Sequence, residues 1–185
     1  LKPFKNAGKR RELYLDKDQR RALLEAASDD IRPFIKGLCL MPLRPGALAK
    51  LTVGQFDART RTLTIGKDKV KKPRQITLPP VVGDFLNELA KGQKASAPLF
   101  RQPGGLAWDK DTWKKPIKQA VLDAGLPDDA TAYTLRHCVI TDLVRAGLPI
   151  LTVAQLAGTS VVIIEQHYGH LVRGDAELAL ASIAI

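Results

Sequence analysis

The stretch AYTLRHCVITDLVRAGLPILTVAQLAGTSVVIIEQHYGH, residues 132–170, decides how this chain is read. Leu135, Val139 and Leu143 recur every four residues, the spacing of one buried helical stripe, so a helix is expected over about 131–146 with Arg136 beside the stripe at its rim. Residues 146–164 then run for 19 positions without a charge, close to the length of a membrane span. Pro149, Gln155, Gly158, Thr159 and Ser160 interrupt the run, which reads better as two short buried helices, about 149–157 and 160–168, joined by a Gly-Thr-Ser turn. Val161 and Ile164 lead at helical spacing to Tyr168, and no membrane partner is expected.

Working outward, Asp16 with Gln19 three residues on is a capping-box start for a helix reaching about Ser28. Asp29 and Asp30 open a second helix with Pro33 in its first turn. Its apolar stripe is Ile31, Phe34, Ile35, Leu38 and Cys39, and it ends near Met41 because the residue before Pro42 is pushed out of helical dihedrals. Three β-like runs follow, around 53–56, 61–65 and 74–78, joined by DART and GKDKVKKP as an antiparallel meander. Helical patterning returns at about 80–91, at 109–124 with Trp113, Ile117 and Val121, and at 174–183. The fold class is α+β, mainly α-helical, with one small three-stranded antiparallel sheet.

A chain of 185 residues favours one domain, and 45% apolar with 26% charged residues excludes a disordered or collagen-like chain. Two cysteines, Cys39 and Cys138, exclude a disulfide scaffold and a four-cysteine zinc site and fit a reducing compartment. The net charge of +10 points to a polyanion. Residues 1–21 and 67–74 together carry nine of the ten net positive charges, either as one electropositive face or as two solvated segments. LKPFKNAGKRREL lacks the apolar core of a secretory signal, and a start without methionine suggests a fragment.

Four positions are candidates for chemistry. Arg44 is held between Pro42 and Pro45, whose fixed dihedrals present its guanidinium from a stiff support suited to bidentate phosphate recognition, although an arginine in such a turn is ordinarily a surface residue. Lys67, Lys69, Lys71, Lys72 and Arg74 surround a β-turn. They form either a ribbon that enters a DNA groove or a charged hairpin tip. Arg136 points into a cleft or lies along the helix rim. Tyr168 is either a core tyrosine or a nucleophile; a phenol of pKa near 10 is only about a thousandth ionised at pH 7, a deficit of roughly 4 kcal/mol that nearby cations or a base must offset.

Taken in order, these motifs are an arginine in an L-x-P-G turn, a lysine in a hairpin, an L-R-H helix, and a G-T-S helix ending in Y-G-H. In them the chain resembles the catalytic domain of the tyrosine recombinases, the phage integrase family, over essentially its whole length. The resemblance implies that Arg44 and Arg136 grip a scissile phosphate and that Tyr168 forms a 3′-phosphotyrosyl link, releasing a 5′-hydroxyl. The hairpin lysine, Lys69 with Lys67 as second choice, would protonate the leaving oxygen. The family's usual histidines are replaced by Tyr133 and Thr159, which can donate a hydrogen bond to phosphate but cannot act as imidazole bases. Ala47 replaces a common acidic residue.

His137 is expected to pack and hydrogen-bond within its own helix. His167 and His170 have no acidic or cysteine ligands nearby, so no metal and no cofactor are expected. Residues 1–12, with Lys9, Arg10 and Arg11, read as a basic interdomain linker lying along DNA. Residues 13–185 read as the catalytic domain, with the family's N-terminal DNA-gripping domain absent from this chain. The resemblance further implies double-stranded DNA with attachment-type sites, a homo-oligomer (tetramer) on DNA with the 176–185 tail on a neighbour, accessory DNA-bending proteins, and the cytoplasm of a bacterial host. A non-catalytic DNA-binding module and a type IB topoisomerase-like relaxing enzyme are the other readings.

Overall fold

The computed structural model describes residues 13–66 and 73–171. The helices are α1 (Lys17–Ala26), α2 (Arg32–Leu40), α3 (Pro45–Ala49), α4 (Pro80–Ala90), α5 (Lys114–Asp123), α6 (Ala132–Arg145), α7 (Ile150–Ala157) and α8 (Val161–Tyr168), and the strands are β1 (Phe56–Asp57), β2 (Thr62–Ile65) and β3 (Arg74–Thr77). The strands form one antiparallel sheet in the order β1-β2-β3, as expected of a meander. The helix expected at 174–183 and the linker at 1–12 lie outside the described residues.

Local chemistry explains the element starts. Asp16 Oδ1 accepts from the Gln19 N–H at 2.8 Å while Gln19 Oε1 accepts from the Asp16 N–H at 2.9 Å, closing the capping box of α1. The helix expected from 109 begins only at Lys114. Asp109 Oδ1 instead accepts from the N–H groups of Asp111 and Thr112 at 2.8 and 3.0 Å, a side-chain turn that outcompetes the helix. The run around 53–56 is a 3-10 turn over Val53–Gln55, with pairing confined to Phe56–Asp57. Helix α3 was not expected; five residues are too few for periodicity, but Pro45 at its first position is pre-set for it.

The main core centres on α2, where Phe34 stacks on Trp113 and Trp108 with ring centroids 5.3 and 6.3 Å apart and meets Phe100 edge-on at 6.0 Å. Gly37 sits against Phe100, which a Cβ would meet at 2.8 Å. A second, smaller cluster joins α6, α7 and α8 through Ile140, Val144, Val153, Ala154, Ala157, Ile164 and Tyr168. The 19-residue uncharged run is thus divided between α7 and α8, and among the described residues no helix is long and apolar enough to cross a membrane.

Candidate active site

The turn between α7 and α8 gathers the site. Gly158 ends α7 in the left-handed conformation, φ +64°, and Ser160 caps α8 by accepting from the Ile163 N–H at 3.3 Å. Arg44, at the N-terminus of α3, donates from Nη1 to the Gly158 carbonyl at 2.6 Å. Arg136, on α6, is buried rather than at the helix rim, and donates from Nη1 to the Pro42 carbonyl at 2.5 Å and the Ala157 carbonyl at 3.0 Å. One guanidinium therefore bridges the α2–α3 connection and the end of α7, while the other is anchored one residue further on.

Arg74 completes the group. It pairs with Ile65 across the β2–β3 ladder, and directly opposed residues share a sheet face, so Arg74 is turned to the side on which Ile65 is buried. Its guanidinium lies over Gly158: a Cβ there would stand 1.8 Å from Nη1 and 2.4 Å from Cζ. Arg74 thus points inward, toward the α7–α8 turn. Burial, followed by the charge of Arg44, pushes the Arg136 guanidinium down to about 10; Arg74 acts in the same direction, and Tyr168 and Tyr133 oppose it.

Tyr168 ends α8 with its ring in the second core cluster and only 8% of the residue exposed. Its hydroxyl is 3.0 Å from Nδ1 of His137, and the two rings lie 5.2 Å apart at 30°. His137 therefore bonds across to α8, not within α6; it follows Arg136 directly, so one turn of α6 supplies both a guanidinium and an imidazole. Tyr133, 48% exposed, lines a cleft of about 380 Å³ with Arg44, Gly46, Lys50, Gln55 and Gly66. Thr159 is half-buried in the turn after Gly158, its N–H donating to the Ala154 carbonyl at 3.0 Å.

A family model described as the phage integrase family matches residues 13–173. The chain belongs to the phage integrase family. A tyrosine recombinase XerD from Lacticaseibacillus casei is 29% identical over 137 residues, covering 70% of this chain and 46% of the relative. The chain spans less than half the length of the curated relatives it matches. Among solved structures, a Tn1549 transposon integrase in complex with a circular intermediate DNA superposes with a TM-score of 0.78 at 16% identity, over 98% of this chain and 68% of that one. The catalytic domain of bacteriophage HP1 integrase gives 0.68 at 18% identity, over 92% and 94%. At these identities the likeness is one of fold, and it is the helical fold with a small sheet described above.

In this phage integrase family chain, Arg44, Arg74, Arg136, Thr159 and Tyr168 come together around one turn, and Tyr133 lines the cleft beside Arg44. Lys67, Lys69, Lys71 and Lys72 lie outside the described residues, as do Lys9, Arg10 and Arg11; Gly66, just before Lys67, lines the cleft with Arg44. The sequence reading missed the roles of His137 and of Gly158. The L-R-H motif placed His137 beside Arg136, but its partner lies 31 residues away across a helix packing that periodicity does not reveal.

Proposed function

We propose that this chain is the catalytic domain of a tyrosine-type site-specific DNA recombinase, cutting and rejoining double-stranded DNA through a 3′-phosphotyrosyl intermediate. The observation that carries the reading is the convergence of Arg44, Arg74 and Arg136 with the Tyr168 hydroxyl around the Gly158 turn. Burial and the charges of Arg44 and Arg74 disfavour the Arg136 guanidinium's own charge, and a phosphodiester is the anion that such a group of guanidinium forks recognises.

Anchoring Arg44 and Arg136 on backbone carbonyls fixes their forks before the phosphate arrives, so little reorganisation is needed as charge builds on the phosphorane oxygens. Tyr168 attacks phosphorus, and Lys69, or Lys67 beside the cleft-lining Gly66, protonates the departing 5′ oxygen. Tyr133 and Thr159 donate to the remaining phosphate oxygens. Lys67, Lys71, Lys72, Lys9, Arg10 and Arg11 contact the duplex backbone, the last three from a linker preceding the domain. The phosphotyrosyl bond conserves the energy of the cut, so the reaction needs no cofactor. The enzyme acts in a bacterial cytoplasm as a homo-oligomer, a tetramer on attachment-type DNA sites, with DNA-bending proteins as accessories.

Covalent trapping tests this. Nicked duplexes, pooled with randomised sequence around the nick so that the cut fragment diffuses away, are incubated with the protein and with Tyr168→Phe and resolved on a denaturing gel. An adduct formed by the parent and lost in the variant is expected; an adduct that persists in Tyr168→Phe, or none with the parent, overturns the reading.

A further inference from the structure

Attack by Tyr168 requires that its phenolic proton go somewhere. The guanidinium groups of Arg44, Arg74 and Arg136 have no acceptor, and the hydroxyls of Tyr133 and Thr159 are not bases near neutral pH. Among the described residues, the imidazole in hydrogen-bond contact with the Tyr168 hydroxyl is that of His137, at 3.0 Å. His167 reaches only the edge of the Tyr168 ring, with centroids 6.4 Å apart. The contact is built from both sides: the Tyr168 ring is fixed in the α6–α7–α8 cluster, and His137 is fixed to the helix that carries Arg136.

We propose that His137 is the general base for Tyr168, an inference that rests on Tyr168 being the nucleophile. With Nδ1 unprotonated, the phenol O–H donates to it. As the Tyr168 oxygen bonds to phosphorus and the P–O5′ bond breaks, the phenolic proton passes to Nδ1, leaving an imidazolium, while the 5′ oxygen takes its proton from the hairpin lysine. In rejoining, the 5′-hydroxyl returns its proton to the now neutral hairpin lysine as its oxygen bonds to phosphorus, the Tyr168 oxygen leaves, and the imidazolium returns the phenolic proton to it. A proton acceptor held in this way contributes about 10²- to 10⁴-fold to rate.

The test is single-turnover adduct formation on the same randomised nicked duplexes, made with either an ordinary phosphodiester or a 5′-bridging phosphorothiolate, whose sulfur leaves without an acid. His137→Gln and His137→Ala are expected to slow adduct formation about 10²-fold or more, with the melting temperature and DNA retention in a gel shift close to the parent. The sulfur substrate is expected not to restore them. Added imidazoles are expected to restore His137→Ala at rates that rise with imidazole basicity, which a packing role for His137 would not produce. Parental rates in His137→Gln, rescue by the sulfur leaving group, or indifference of His137→Ala to imidazoles would each overturn the proposal. The parent gives the adduct in all three of those cases; a parent that gives none removes the recombinase reading itself, and the base with it.

Discussion

At the scale of single residues, Gly158 is the most constrained position in the site. Its φ of +64° favours glycine, and the space its Cβ would fill is taken by the Arg74 guanidinium. In Gly158→Ala the left-handed backbone costs about 1 kcal/mol, a fall in melting temperature of roughly 2–4 °C for a domain of this size. The clash is with the far end of a flexible side chain, so Arg74 gives way rather than the fold. The expected outcome is a nearly intact melt and an adduct rate reduced by about 10²-fold, the scale of one lost oxyanion donor; a parental rate would remove Arg74 from the chemistry. Arg44 and Tyr168 were legible in the sequence because their motifs are local. Arg74's inward turn was not, because it follows from its register opposite Ile65.

Among elements, α6 is the one on which the others converge. Besides Arg136 and His137 it carries Asp142, whose two oxygens accept from the Tyr14 hydroxyl at 2.6 Å and from Arg20 Nη2 at 2.7 Å, and Cys138, whose sulfur accepts from the Leu15 N–H at 3.2 Å. These bonds tie residues 14–20 to the helix that carries Arg136 and His137. Asp142→Ala leaves the Arg20 guanidinium only the Asp16 carbonyl, at 3.2 Å, and the Tyr14 ring, and with Asp142 a third exposed a loss of about 1–3 kcal/mol is expected in urea unfolding. The bond to Asp142 also holds the Tyr14 phenol above its ordinary value. A folded value above the unfolded one means that this contribution is present below about pH 10 and is lost as the pH climbs through the folded value; in Asp142→Ala that alkaline loss should vanish from the stability profile. Helices α1, α2 and α6 were readable from period and caps. Helix α3 and the start of α5 were not, because there a proline and an aspartate side chain decide the backbone over fewer residues than any period needs.

For the whole molecule, the net charge of +10 is matched by a local fact, a buried Arg136 pushed down to about 10 with Arg44 and Arg74 beside it. Below that value the folded state carries a charge it disfavours, so an anion that fills the site stabilises the fold by mass action. Sulfate replacing chloride at fixed ionic strength is expected to raise the melting temperature of the parent more than that of Arg136→Met; equal shifts would show that sulfate acts on the surface generally. The placement of Tyr168 has a further consequence for the molecule as a whole. Its ring belongs to a small core of three helix segments distinct from the cluster around Phe34, and such satellite cores open as cooperative units at a lower free energy than the whole. An opening of that unit would draw the hydroxyl away from His137 and break up the Gly158 turn on which Arg44 and Arg136 rest, so on the proposed reading the share of molecules with nucleophile and arginines in register follows a local equilibrium, not the global one.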